Sequence, residues 1–181
     1  MAILPINVYG DKILTQKTKL IEKIDDTLIA NIANMFETMR SADGIGLAAN
    51  QVGLGQSFFI LDLSPAEGYE DFKPIVMINP EIIEFSDENS FVEEGCLSLP
   101  FLRAEVERPA EVKVKFLNTN EQEEIIEADG LFARAIQHEF DHLIGKMIPD
   151  NITPAMKKKF QKILYRIMNR QVDTDYLISD K

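Results

Sequence analysis

Apolar residues recur at helical spacing in three stretches of this chain. Leu28, Ile29, Ile32, Met35, Phe36 and Met39 fall along one stripe, and Asp25-Asp26 offers an N-cap, so an amphipathic helix is expected over 26–41. Met156, Phe160, Ile163, Leu164 and Ile167 form a second stripe over 154–170, with Thr153 placed to cap it and Pro154 at the first helical position. The third stretch, 130–144, is apolar over most of its girth. Leu131, Ala135, His138 and His142 share one face, Phe132, Ala133, Ile136, Phe140, Leu143 and Ile144 fill the adjoining arcs, and Arg134, Gln137 and Asp141 mark a narrow polar side. Such a helix is largely buried. Asp129 is its candidate cap and Gly145 its stop.

Between the first and third helices the period changes to two. Residues 57–63 read as a buried strand, 65–74 as a polar loop, and 75–78 and 81–85 as strands broken around Asn79-Pro80, where proline interrupts pairing. Asp87-Glu88-Asn89 is a turn leading to 91–96, and 103–107 alternates charged and apolar residues. Residues 110–116 alternate strictly and return through Asn118-Thr119-Asn120 as 123–127, the pattern of a hairpin. The first 24 residues read as an irregular segment lying over the domain, and 173–181 as a loose tail.

The chemistry concentrates in Gln137-His138-Glu139-Phe140-Asp141-His142, which holds both histidines of the 181-residue chain. Residues i and i+4 stand one above the other on a helix, so the two imidazoles can grip one metal ion, with Glu139 beside it as a general base. Two histidines placed at random would be four apart in only about 1% of arrangements, which favours the metal reading over two ordinary core histidines. A catalytic site of this kind takes three protein ligands. Cys96 is the lone cysteine, so no intrachain disulfide can form; a lone cysteine is usually a small buried hydrophobe, and here it is also the obvious candidate for the third ligand.

At this length one domain spanning 1–181 is expected, and the hydrophobic content of 45% reads as a soluble globular chain. No apolar run reaches transmembrane length and the N-terminus has no basic signal-peptide pattern, so a cytoplasmic location is the default. The expected class is α+β: antiparallel β-sheets packed around a buried metal-binding helix, with an amphipathic helix before it and a C-terminal helix after it. Net charge is −11, which argues against DNA as a partner; yet 151–172 carries six Lys or Arg and no acid, leaving −17 on the rest.

Two further motifs precede the histidines: Gly44-Ile45-Gly46-Leu47-Ala48-Ala49-Asn50-Gln51 and Glu94-Gly95-Cys96-Leu97-Ser98. Taken alone, the glycine segment reads equally as a helix stop and turn; it lacks the lysine of a phosphate loop. In order, spacing and content the three motifs together closely resemble peptide deformylase, over essentially the whole chain. The resemblance implies Cys96, His138 and His142 as metal ligands with water as the fourth, and Fe2+ as the native ion, with Zn2+, Ni2+ or Co2+ able to replace it. It implies Glu139 as the proton carrier, Gln51 (side chain) and Leu97 (backbone N–H) as oxyanion donors, and Gly46 as a backbone partner of the substrate. The reaction implied is hydrolysis of the N-formyl group from the formylmethionine of nascent polypeptides, releasing formate.

Substrate contacts expected by position are Gly44, Ile45, Gly46, Val92, Glu94, Arg103, Leu131 and Ala135. Arg134 also falls in the expected methionine pocket, either reaching over its rim or altering its preference. Glu94 and Asp141 are candidates to orient the histidines, and Asp43 and Arg108 for a pair beside the glycine segment. Lys157, Lys158, Lys159, Lys162, Arg166 and Arg170 form either a solvated helix face or, as in some deformylases, a ribosome-docking surface. Two rival readings are a zinc endopeptidase, which takes its third ligand downstream, and a closed structural metal site, which needs four protein ligands.

Overall fold

Residues 2–180 are described by a computed structural model. Among them the helices are α1 (Asp26–Ser41), α2 (Gly130–Leu143) and α3 (Pro154–Met168). The strands are β1 (Gly46–Ala48), β2 (Phe58–Leu61), β3 (Ile75–Phe85), β4 (Asn89–Gly95), β5 (Arg103–Pro109), β6 (Val112–Leu117) and β7 (Glu123–Ala128). β1, β2, β3, β6 and β7 form one antiparallel sheet in that spatial order, and β4 pairs with β5 as a separate hairpin. The class is α+β.

β2 is apolar without alternation because both of its faces are covered. Phe58 and Ile60 join Ile32, Met35 and Met39 of α1 in one apolar cluster. Phe59 and Leu61, on the opposite face, join Ala133, Ile136 and Leu143 of α2 in another. Each of these strand side chains is fully buried, which stabilises the fold by about 1.5–3 kcal/mol apiece. The sheet therefore lies between α1 and α2, and α2 is held against the β1 and β2 end. A third cluster joins Leu99, Leu102, Ala104 and Val106 of the hairpin region to Leu164 and Ile167 of α3.

The helices start and stop for local reasons. Asp25 accepts from Leu28 N–H at 2.9 Å and Thr153 from Met156 N–H at 3.3 Å, as expected of N-caps. Asp129 makes no such side-chain bond. At the far end of α2, Gly145 takes φ of 78°, and the next amide, Lys146 N–H, closes back on Asp141 O at 2.8 Å.

Four expectations require correction. Asn79-Pro80 does not break a strand. β3 runs through it, with the register shift falling between Ile78 and Glu81, where proline's missing N–H costs no ladder bond. Asn79 takes φ of 51°, and its amide exchanges two 2.8 Å bonds with the backbone of Ile21. The glycine segment is not merely a turn: Gly46–Ala48 pairs with β2 as an edge strand. The C-terminal segment is not loose. Ile178 bridges Ile6, and Arg170 pairs with Asp11 at 2.6 Å; Lys181 of that segment lies outside the described residues. Finally, Asp43 and Arg108 do not pair, since the Arg108 guanidinium is taken up by Glu94 and Asp141.

Candidate active site

α2 carries His138 and His142 one turn apart, their rings edge-on with centroids 5.1 Å apart. Cys96 comes from the turn that follows β4, closed by Leu99 N–H on Cys96 O at 2.9 Å. Its Sγ lies 3.2 Å from His142 Nε2. One ligand atom from each of Cys96, His138 and His142 falls within 4.8 Å of the others.

Beneath this trio is a buried charge network. Glu94 Oε2 meets His138 Nδ1 at 2.9 Å, which leaves Nε2 for the cluster. Both Glu94 oxygens also accept from Arg108, at 2.7 and 3.1 Å, and Oε1 accepts from Arg134 at 3.0 Å. Burial alone would raise the Glu94 carboxyl. The hydrogen bonds from His138 and Arg108 outweigh it and hold the carboxyl down to about 2. Arg108 reaches on to Asp141 Oδ2 at 2.6 Å, and Asn151 Nδ2 caps the same oxygen at 2.7 Å.

Arg134 neither reaches over a rim nor offers its charge to solvent. It is 5% exposed, and its two terminal nitrogens also donate to Val106 O, Ser90 O and Ser90 Oγ at 2.8–3.0 Å. It clamps α2 to the β4–β5 hairpin. It also borders the cleft.

Glu139 sits at the meeting of α2 and β1. A Cβ on Gly46 would come within 2.5 Å of Glu139 Oε1 and 2.9 Å of Leu61 Cδ2, so only glycine lets the strand approach this closely. Burial pushes the Glu139 carboxyl up to about 7, against the pull of His138 and the Arg108 guanidinium. Glu139 Oε2 and His142 Nδ1 are buried without a hydrogen-bond partner among the described residues. Gln51 is buried in the 3-10 turn Ala49–Val52 after β1. Its Oε1 accepts from Ala48 N–H at 2.8 Å, and its Nε2 points to Ser98 Oγ at 3.1 Å and Cys96 Sγ at 3.6 Å.

Cys96, His138 and Glu139 open on one cleft of about 530 Å³, within the usual size for a small-molecule or peptide-side-chain site, whereas Gln51 and His142 lie behind its lining. Gly44, Ile45, Gly46, Val92, Leu97, Arg103, Leu131 and Ala135 line it. Glu94 borders it too, but both its oxygens are spent inside the protein. Other contributors had not been anticipated, Asn50, Phe101 and Tyr176 among them. Asn50 donates to His142 O at 2.6 Å, and Phe101 and Tyr176 line the cleft. Asn50 lies within the glycine motif and could have been suspected; Tyr176 lies in the segment read as loose, with no signal attached.

The donor set fits a divalent transition ion. A thiolate with two imidazoles suits Zn, Fe or Ni. Three protein ligands leave a position open, and the partnerless Glu139 Oε2 beside them is the kind of atom such a site would use.

The sequence profile of the family described as Polypeptide deformylase matches residues 3–158. The chain belongs to this family. A peptide deformylase of Prosthecochloris aestuarii is 43% identical over 178 residues, covering 98% of this chain and 95% of that one. The crystal structure of the Thermotoga maritima deformylase superposes with a TM-score of 0.79 at 43% identity, covering 85% of this chain and 100% of that one. The Ehrlichia chaffeensis deformylase, solved in complex with actinonin, gives 0.85 at 34% identity, with 96% and 100% covered. As a deformylase this chain is a hydrolase that cleaves the N-formyl amide bond of nascent peptides. One consequence for deformylase activity follows from Gly46. Gly46→Ala should destabilise the fold by about 1–3 kcal/mol through overpacking against Leu61 and lower kcat of the still-folded protein roughly 100-fold, because the new methyl displaces the Glu139 carboxylate. Wild-type turnover by this variant would show that the close approach is incidental.

Proposed function

We propose that this deformylase uses Cys96, His138 and His142 to hold one Fe2+ ion, with Zn2+, Ni2+ or Co2+ as substitutes, and Glu139 to move the proton. The observation that carries the reading is that three ligand atoms lie within 4.8 Å of one another, while the next residue of the same helix, Glu139, is buried with one carboxylate oxygen lacking a hydrogen-bond partner among the described residues. When bound, the ion supplies Lewis-acid polarisation and a lowered pKa for water. Glu139 accepts the proton of the attacking water and later delivers it to the leaving amine. Burial raises its carboxyl to about 7, so near neutral pH it can both take up and give back a proton. Gln51 Nε2 and the Leu97 N–H donate to the oxyanion that develops on the formyl oxygen. Glu94 fixes the His138 ring, and Arg108 with Asp141 fixes Glu94. The products are formate and a free N-terminal amine.

The substrate lies extended along Gly44, Ile45 and Gly46, with its methionine side chain among Ile45, Val92, Leu131 and Ala135 and its following residues toward Arg103. Residues 1–181 act as one catalytic unit in the cytoplasm. Among the described residues no helix is long and apolar enough to cross a membrane. The decisive comparison is between formylated and unformylated peptides. Release of formate from the former with no cleavage of internal bonds in either supports the reading, and the reverse pattern supports an endopeptidase.

The basic face of α3 is a ribosome-docking surface in this reading. Lys157 and Arg170 have acidic partners in Asp150 and Asp11, whereas Lys158, Lys159, Lys162 and Arg166 are exposed. Reversing those four to Glu should weaken co-sedimentation with ribosomes and leave deformylation of short peptides intact. Unchanged co-sedimentation would make the face a solvated one.

A further inference from the structure

The C-terminal segment returns to the loop that carries Cys96. Ile6 N–H donates to Leu177 O and Ser179 N–H to Ile6 O, each at 2.9 Å, and Ser179 Oγ bonds Asp11 at 2.9 Å. So anchored, Tyr176 is half-buried against the cleft, and its hydroxyl donates to Leu97 O at 2.8 Å. Burial, and then the nearby Cys96 charge, raises the phenol, so it remains a donor.

The carbonyls on either side of Leu97 matter because they set the direction of its N–H. That N–H lies on the Cys96–Leu97 peptide, whose oxygen accepts from Leu99 N–H at 2.9 Å. The next peptide presents Leu97 O to Tyr176, and the one after presents Ser98 O to Tyr9 N–H at 2.9 Å. Three consecutive carbonyls are thus held from three places: a local turn, the C-terminal segment and the N-terminal segment. Holding the two peptides that flank the Leu97 Cα fixes its φ and ψ. Only Tyr176 does this from outside the residues 3–158 that the family profile covers.

We propose that Tyr176 is a positioning residue for deformylation, its hydroxyl fixing the Leu97–Ser98 peptide and so the aim of the Leu97 N–H at the reacting carbonyl. This rests on the reading of Leu97 as an oxyanion donor. Tyr176→Phe keeps the ring and removes the bond. In the Fe2+-loaded full chain it should lower kcat for formyl-Met-Ala-Ser roughly 3- to 10-fold, with KM within about twofold. In the diamagnetic Zn2+-loaded protein, amide hydrogen exchange at Leu97 and Ser98 should quicken by a similar factor while the rest of the sheet keeps its protection. Wild-type exchange at both amides would overturn the proposal. So would faster exchange with unchanged kcat, which would make the bond merely structural, or a raised KM alone, which would make Tyr176 a substrate contact. Should the wild-type protein itself release no formate, the oxyanion reading fails on that ground, and the exchange comparison still judges the tether separately.

Discussion

Glu139→Ala is expected to lower kcat by about 1,000-fold while the protein still binds its metal ion. The carboxylate is the one acidic group at the Cys96, His138 and His142 cluster that no arginine neutralises, and its Oε2 has no partner among the described residues. Nothing in the fold depends on that oxygen. Burying a neutral side chain there costs less than burying a charge, so Glu139→Gln should melt at or above the wild-type temperature. Metal content, kcat and the melt, taken on one preparation, separate the roles. Near-normal turnover by either variant would remove Glu139 from the reaction.

Glu94→Ala should have the opposite profile: a large loss of stability together with weaker metal binding. Glu94 receives hydrogen bonds from Arg108 and Arg134 and meets His138, and its side chain is 4% exposed. Removing it leaves the Arg134 guanidinium buried without a carboxylate and Arg108 with Asp141 alone, which costs about 3–5 kcal/mol. It also frees the His138 ring, a loss worth roughly 10- to 100-fold in metal affinity. The titration of Glu94 gives a second route to the same magnitude. Its carboxyl lies at about 2 in the folded state against 4.5 ordinarily. A depressed carboxyl contributes stability that is fully present above the unfolded value and lost as pH falls through the folded one. The contribution is about 3 kcal/mol at neutral pH, lost between roughly pH 4.5 and 2. Urea midpoints at pH 7 and pH 3 should therefore differ strongly for the wild type and much less for Glu94→Ala. An unchanged midpoint at pH 7 in the variant would mean that the network contributes nothing.

What could be read from the sequence was what depends on local pattern. α1 and α3 follow from apolar stripes and caps, the β6–β7 hairpin from strict alternation, and the paired histidines from i, i+4 spacing. What escaped depends on partners distant in the chain. Arg134 looks misplaced on an apolar helix face until Glu94, 40 residues earlier, is brought beneath it. Gly46 has no intrinsic strand preference; it is a strand because Leu61 of β2 is there to pair with it. Pro80 reads as a strand breaker, but the ladder passes from β2 to β6 at that point and needs no N–H from it. The C-terminal segment is polar and short of periodicity, yet Ile6 and Asp11 give it a place to dock. The three candidate metal ligands were nameable from motifs, whereas the arginine pair that holds Glu94 required the fold.

The most direct measurement is formate release from formyl-Met-Ala-Ser by protein reconstituted anaerobically with Fe2+, beside the metal-free form. The account predicts rapid release by the loaded protein and a rate at least about 1,000-fold lower without metal. Equal rates in the two forms, or no release by a folded, loaded protein, would contradict it.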